Sequence, residues 1–222
     1  MRLDFSEWEP LYREICAEFC IDPLADESSV RLLEAVTQNL DLDDEDCFEH
    51  LLQGTVTIFG AADSLKNDVG DLPPEGTLIA AGSACRLMTD LGFRPDILVT
   101  DLDGDVESQI AASADGAVTL ILAHSDNTDA VARYAPLFKG KVVLTTQCRP
   151  RGNVLCFGGF TDGDRAVCLA RHFGARRILL EGFDFDHPGA KEGSDPARKL
   201  RKLAVARRVI TSRTDDLVLP KR

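Results

Sequence analysis

No stretch of this chain approaches the roughly 20 consecutive apolar residues that a bilayer span requires, so a membrane helix is excluded. An apolar leader is missing too, and no CxxC pair occurs among the seven cysteines Cys16, Cys20, Cys47, Cys85, Cys148, Cys156 and Cys168. An odd count without such a pair points to a reducing cytoplasm rather than a disulfide framework. Cys16 and Cys20 stand at i, i+4, but no second Cys or His pair complements them as metal ligands, and core thiols are the simpler reading. Positive charge is scarce: 25 Lys and Arg against 37 Asp and Glu leave a net charge of −12. That balance argues against nucleic acid or an anionic membrane as partner. It leaves anionic small molecules open, because a bound cation or a local Lys/Arg cluster reverses the field at one site. Internal repeats and low-complexity tracts are absent.

Glycine is missing from residues 1–53, which read as a helical region. Ser6 is placed to cap a first helix with Trp8, Leu11, Ile15 and Phe19 on its apolar face. Ser28 or Ser29 is placed to start a second helix to about Leu40, and a third is expected from about Asp43 to Leu52. This region can cover a sheet edge or form a contact between subunits, and its pattern supports both, so a homo-oligomer is a possible partner state. From Gly54 to residue 222 the texture changes. Short apolar runs, Thr55–Phe59, Thr77–Ala81, Asp96–Thr100, Ala117–Ala123, Lys141–Thr145 and Arg176–Glu181, alternate with helical segments near 63–70, 83–91, 106–115, 127–137 and 162–173. Such alternation predicts βαβ crossovers, hence an α/β, doubly wound, mostly parallel sheet with helices on both faces. A last helix, about Asp195 to Arg213, is strongly basic. Together with Lys191, its Arg198, Lys199, Lys202, Arg207 and Arg208 form either a solvated face or a cover that neutralises phosphate at the active edge.

A parallel sheet delivers every strand's carboxyl end to one edge, and that edge collects the chemistry. Asp101 and Asp103 follow the third strand at i and i+2, a spacing that puts side chains on one side of an extended chain. Two carboxylates so close repel unless a cation sits between them or one takes a proton, which suits Mg²⁺ carrying a phosphorylated substrate. Asp126, after the fourth strand, is expected to reach the same rim as a third ligand; its alternative role is helix capping. Glycine turns Gly60 to Ser64 and Gly82-Ser83 open helices whose N–H groups can meet phosphate. Gly158-Gly159 allows close backbone approach before a helix capped by Thr161 or Asp162. Arg165 in that helix's first turn is unfavourable for the dipole unless a phosphate offsets it. Asp162 or Asp164 is a candidate to accept a proton or hold a second metal.

The strings Pro95-Asp96-Ile97-Leu98-Val99-Thr100-Asp101-Leu102-Asp103-Gly104, His124-Ser125-Asp126-Asn127, Thr146-Gln147, Gly158 to Arg165 and Gly182-Phe183-Asp184-Phe185 occur in this order. Together they resemble the archaeal 6-hydroxymethyl-7,8-dihydropterin pyrophosphokinase family, a relative of thiamine pyrophosphokinases, over about residues 55–210. The resemblance implies ATP as co-substrate, Mg²⁺, a pterin alcohol as acceptor and diphosphoryl transfer releasing AMP in folate-like or methanopterin cofactor synthesis. Contacts to nucleotide or pterin are then expected from Gly60, Ser64, Gly82, Ser83, His124, Asn127, Thr146, Gln147, Gly159, Thr161 and Lys202, with Phe160 and Phe183 as candidate stacking walls. Three strings depart from the family pattern. Ala62-Asp63-Ser64-Leu65 stands for Gly-Pro-Ser-Leu, Ala81-Gly82-Ser83 for Ala-Asp-Gly, and His124-Ser125-Asp126-Asn127 for His-Gly-Asp-Asn. A thiamine pyrophosphokinase-like enzyme, a DxD nucleotide-sugar glycosyltransferase and a non-catalytic nucleotide-binding protein are the alternatives, and AMP release separates them.

Overall fold

A computed structural model describes residues 4–70, 73–187, 195–212 and 218–220; Lys191 and Arg213 lie outside the described residues. Strands β1 (Thr55–Phe59), β2 (Thr77–Ala81), β3 (Ile97–Thr100), β4 (Val118–Ala123), β5 (Val142–Thr146), β6 (Val154–Leu155), β7 (Arg177–Glu181) and β8 (Val218–Pro220) form one sheet. Their order is β6-β5-β4-β3-β2-β1-β7-β8 and every pairing is parallel. The chain steps from β1 to β6 in one direction, then returns past β1 to add β7 and β8 on the other side. Reversal of direction is what moves the crossover helices from one face to the other.

The helices are α1 (Phe5–Phe19), α2 (Pro23–Val36), α3 (Leu65–Asp68), α4 (Ala84–Asp90), α5 (Val106–Ala114), α6 (Thr128–Tyr134), α7 (Asp162–His172) and α8 (Pro196–Thr211). Strand parity sorts the core into two layers. Phe59, Ala80, Leu98, Ile121 and Leu144 face the side covered by α1 to α6. Val56, Ile58, Ile79, Ile97, Val99 and Val143 face Ala166, Val167, Leu169 and Ala170 of α7 together with Phe48. Strands buried on both faces explain why their sequence is apolar throughout rather than alternating. The helix α8 gives Val205 and Val209 to the first layer and Ile210 to the second.

The N-terminal boundaries differ from the sequence expectation. Asp4, not Ser6, caps α1, its side chain accepting the Ser6 N–H at 2.8 Å. Asp22 caps α2 with Pro23 in its first turn, so Ser28 and Ser29 lie inside the helix, which ends at Val36 rather than Leu40. An aspartate followed by proline is the stronger start signal, because proline has no N–H to lose at that position. The expected third helix is reduced to a 3-10 turn, Glu45–Phe48, capped by Asp44. Strands β6 and β8, two and three residues long, lie outside the runs picked from sequence. The helices of residues 1–53 pack into the same apolar layer as the sheet, with Trp8, Tyr12, Ile15, Val30 and Leu33 buried there.

Candidate functional site

The turn after β3 is built differently from the extended pair its spacing implied. The strand stops at Thr100, and Leu102 adopts a left-handed conformation with φ 66°. Burial of the Leu102 side chain, 2% exposed, holds it there; a non-glycine residue in this region costs roughly 1–2 kcal/mol. Thr100 Oγ1 accepts the Leu102 N–H at 2.8 Å and donates to Gln109 Oε1 at 2.6 Å, while Gln109 Nε2 donates to the Asp103 carbonyl at 2.7 Å. The turn is therefore fixed from beneath by α5. It directs Asp101 inward and leaves Asp103 exposed. Asp101 Oδ1 is buried with no hydrogen-bond partner, and Oδ2 lies 3.6 Å from His124 Nε2.

His124 is held by its own loop. Its Nδ1 accepts the Asp126 N–H at 3.2 Å, so a neutral ring carries its proton on Nε2, toward Asp101. Asn127 Oδ1 accepts the His124 N–H at 2.9 Å, and its Nδ2 donates to the carbonyls of Asp101 and Leu122, each at 2.8 Å. Asn127 thus staples the ends of β3 and β4, with both amide hydrogens committed. Asp126, the expected third metal ligand, points instead to α8, where Arg198 Nη2 donates to it at 3.1 Å.

The third wall of the rim is the start of α7. Thr161 and Asp164 form a capping box: the fully buried Asp164 accepts the N–H of Phe160 at 2.8 Å and of Thr161 at 2.7 Å, and also the Thr161 hydroxyl. That uses the Asp164 carboxyl for structure. Asp162 is different. It packs against Gly82, where any Cβ would collide with its carboxylate, and its Oδ1 is buried with no hydrogen-bond partner. Arg165 is buried at 6% exposure; Nη2 donates to Thr145 Oγ1 at 3.2 Å, while Nε and Nη1 lack partners. Gly159, φ 91°, lets the chain approach Arg165 closely, since a Cβ there would lie 2.6 Å from the Arg165 Cα.

These groups set one another's protonation. Burial pushes Asp101 up, but His124, Lys202 and Arg165 outweigh it and hold its carboxyl below the ordinary range. Burial, then the charges of Asp101 and Asp103, push Asp162 well above that range. Burial lowers Arg165, opposed by Asp162, Cys156 and Asp101. One carboxylate held low, a neighbour whose proton affinity is raised and a desolvated guanidinium alongside describe a rim that is missing charge partners.

Of the other residues singled out from sequence, Gly82 and Lys202 join the rim, Lys202 through its field on Asp101 and its ammonium 5.5 Å from the Phe160 ring centre. Ser83 packs against Gly104, and Gly60 lies back to back with Gly182. Ser64 donates to Asp68 at 2.8 Å. Thr146 is buried against the Ala123 carbonyl and Cys148, and Gln147 donates to Asp26 at 2.8 Å. Asp26 is the residue that sequence reasoning missed. Fully buried on α2, it accepts Tyr12 Oη, Gln147 Nε2 and the Ser125 N–H, each at 2.8 Å. The signal was present: Asp26, Ser29, Val30 and Leu33 are the buried face of α2, so an acid stands where an apolar residue is expected.

Among the described residues no group of three or more His, Cys, Asp or Glu side chains is arranged as a metal cluster. Mg²⁺ does not require one, because it commonly takes one or two carboxylates and fills its remaining positions with water and phosphate oxygens. The partnerless oxygens of Asp101 and Asp162 are hard donors of that kind and fit such an ion.

A family model described as 6-hydroxymethylpterin diphosphokinase MptE-like matches residues 31–189. The chain belongs to this family. It is 32% identical to the 6-hydroxymethyl-7,8-dihydropterin pyrophosphokinase of Methanocaldococcus jannaschii, over 97% of this chain and 98% of that protein. Identity to the protein of the same name from Methanothermobacter thermautotrophicus is 37%, over 94% of each. To that of Pyrococcus furiosus it is 34%, over 94% of this chain and 93% of the relative. Among solved structures, the Maf glycosyltransferase of Magnetospirillum magneticum superposes with a TM-score of 0.50 at 17% identity, covering 77% of this chain and 32% of that one. That likeness shows shared fold alone. The span matched by the MptE-like model contains Asp101, His124, Asp162 and Arg165; Asp26 and Lys202 lie outside it.

Proposed function

We propose that this chain transfers the terminal diphosphate of ATP to the hydroxymethyl oxygen of 6-hydroxymethyl-7,8-dihydropterin, releasing AMP. The observation that carries the reading is the set of buried, partnerless atoms at one rim: Asp101 Oδ1, Asp162 Oδ1 and Arg165 Nε and Nη1. Together with the names of the relatives, that set describes a receptacle for a polyanion and its counterion. Arg165 would contact phosphate oxygens with the two nitrogens the protein leaves unused, while Lys202 adds charge from α8. His124 would keep Asp101 oriented and ionised. Asp101 would hold Mg²⁺, with water and phosphate oxygens filling its other positions, and the ion supplies neutralisation of the triphosphate when bound.

Chemically, the acceptor oxygen attacks the β-phosphorus and the bond from that phosphorus to the oxygen bridging the α-phosphate breaks, so AMP leaves. Asp162 is the group we assign to take the hydroxyl proton. A carboxylate whose proton affinity is raised by its surroundings is a better base than an ordinary one. Asp164, spent on the capping box, is not given that role. Positioning and fixed charge supply most of the acceleration in such a transfer. The test is incubation of the purified chain with ATP, Mg²⁺ and the pterin alcohol. Stoichiometric AMP and pterin diphosphate are expected, with no AMP when thiamine replaces the pterin. ADP as the nucleotide product, or AMP with thiamine alone, would overturn the reading.

A further inference from the structure

Next to the charged rim a second recess opens between the ends of β1, β2 and β7 and the start of α7, with α8 along its side. Gly60, Ala81, Gly163, Phe183, Phe185 and Leu203 line it, and it shares Asp162 with the rim. Phe183 has glycine on two sides: a Cβ on Gly163 would lie 2.7 Å from its ring and one on Gly60 3.1 Å. Phe185 stands beside it, ring centres 6.0 Å apart and inclined by 48°. The two glycines thus abut opposite edges of the Phe183 ring, and the recess is walled by two inclined aromatic rings, small residues and Leu203, an apolar lining suited to a flat ring. Asp184 on the same wall accepts the N–H groups of Asp186 and His187, both at 2.9 Å. Those bonds, together with the His187 ring whose Nδ1 lies 2.9 Å from Oδ2, keep its carboxyl below the usual range.

We infer that this recess takes the heteroaromatic ring of the alcohol acceptor, its hydroxymethyl arm turned toward Asp162, and that the adenine ring lies elsewhere. The inference rests on the diphosphoryl-transfer reading and adds where the acceptor binds. Connectivity decides between the two rings. The acceptor's reactive oxygen is one carbon from its ring, so ring and phosphates must be immediate neighbours. Adenine is separated from the β-phosphorus by ribose and the α-phosphate and has to sit further away. A recess whose wall includes a side chain of the phosphate rim fits the first ring and not the second.

Two variants of the full chain test this: Leu203→Trp, which fills the recess from α8, and Phe183→Leu, which keeps apolar bulk but removes the flat face. Steady-state kinetics with ATP and acceptor varied separately are expected to show KM for the acceptor raised about tenfold or more in both, with KM for ATP within about twofold. Quenching of pterin-alcohol fluorescence by the protein without nucleotide gives binding independently of turnover, and both variants are expected to weaken it by a similar factor. Unchanged melting temperatures keep a folding defect from imitating the result. Raised KM for ATP alone, or unchanged pterin binding in both variants, would overturn the inference. A wild-type chain that binds pterin in this recess but releases no AMP would leave the inference standing and remove the proposed reaction.

Discussion

Asp26 offers the sharpest test of how the N-terminal helices serve the site. Its side chain accepts three hydrogen bonds of 2.8 Å, from Tyr12 on α1, Gln147 after β5 and the Ser125 N–H after β4. Replacement by alanine removes all three and leaves the Tyr12 hydroxyl and the Gln147 amide buried without that acceptor. At about 1 kcal/mol net per bond, plus the desolvation of stranded donors, Asp26→Ala is expected to lose roughly 3–5 kcal/mol of stability. Asp26→Asn keeps the shape but turns an N–H₂ toward at least one donor, so a loss of about 1–3 kcal/mol is expected. Tyr12→Phe removes one bond only, at about 1 kcal/mol, and a double-mutant cycle with Asp26→Asn should show coupling of at least ~0.5 kcal/mol. Urea unfolding followed by circular dichroism measures each, with the m-value unchanged if only the native contacts are altered. A loss below about 1 kcal/mol for Asp26→Ala would refute the accounting. Because Ser125 adjoins His124, residual turnover of Asp26→Asn should fall with KM for ATP little changed.

Other expectations follow from the same geometry. Asp101→Asn should lower kcat by about 10³-fold at saturating Mg²⁺, whereas Asp126→Asn, which breaks only the exposed pair with Arg198, should stay within about fivefold and cost under ~1 kcal/mol. Asp162→Asn should abolish turnover yet raise the melting temperature at pH 8. Its folded-state affinity for a proton is raised, so the native protein binds more protons than the unfolded chain above about pH 4, and wild-type stability from this group declines as pH rises through the folded pKa. The advantage of the variant should therefore shrink toward pH 4 in a melting series, and an advantage that grows on acidification would contradict the assignment. Arg165→Lys should reduce kcat/KM for ATP about 10- to 100-fold, since an ammonium cannot present the fork of donors.

Much of the architecture was legible because the physics is local. The runs Thr55–Phe59 and Thr77–Ala81 match β1 and β2 residue for residue, and their unbroken apolar character carried the prediction of a doubly covered parallel sheet. What escaped was set by tertiary context. Val154–Leu155 becomes a strand only because β5 is beside it. The spacing of Asp101 and Asp103 was visible, but their divergence depends on Leu102, whose left-handed turn is enforced by burial and by Thr100 and Gln109. Asn127, Gln147 and Asp164 were recognisable as polar residues at strand ends and a helix start. Whether such residues meet a ligand or satisfy the backbone depends on partners up to 121 residues away, as with Gln147 and Asp26. Asp162 and Asp164 look alike in sequence; the capping box alone separates them.

The two margins of the sheet carry a consequence for assembly. One ends in a strand of two residues and the other in a strand of three whose last residue, Pro220, has no amide hydrogen to offer. A neighbouring molecule laying a strand along either margin would find too few rungs to hold it, so the sheet is blunted against open-ended growth. Among the described elements the longer surfaces belong to the helices, so mutations meant to encourage or forbid a pairing of two copies are best tried there.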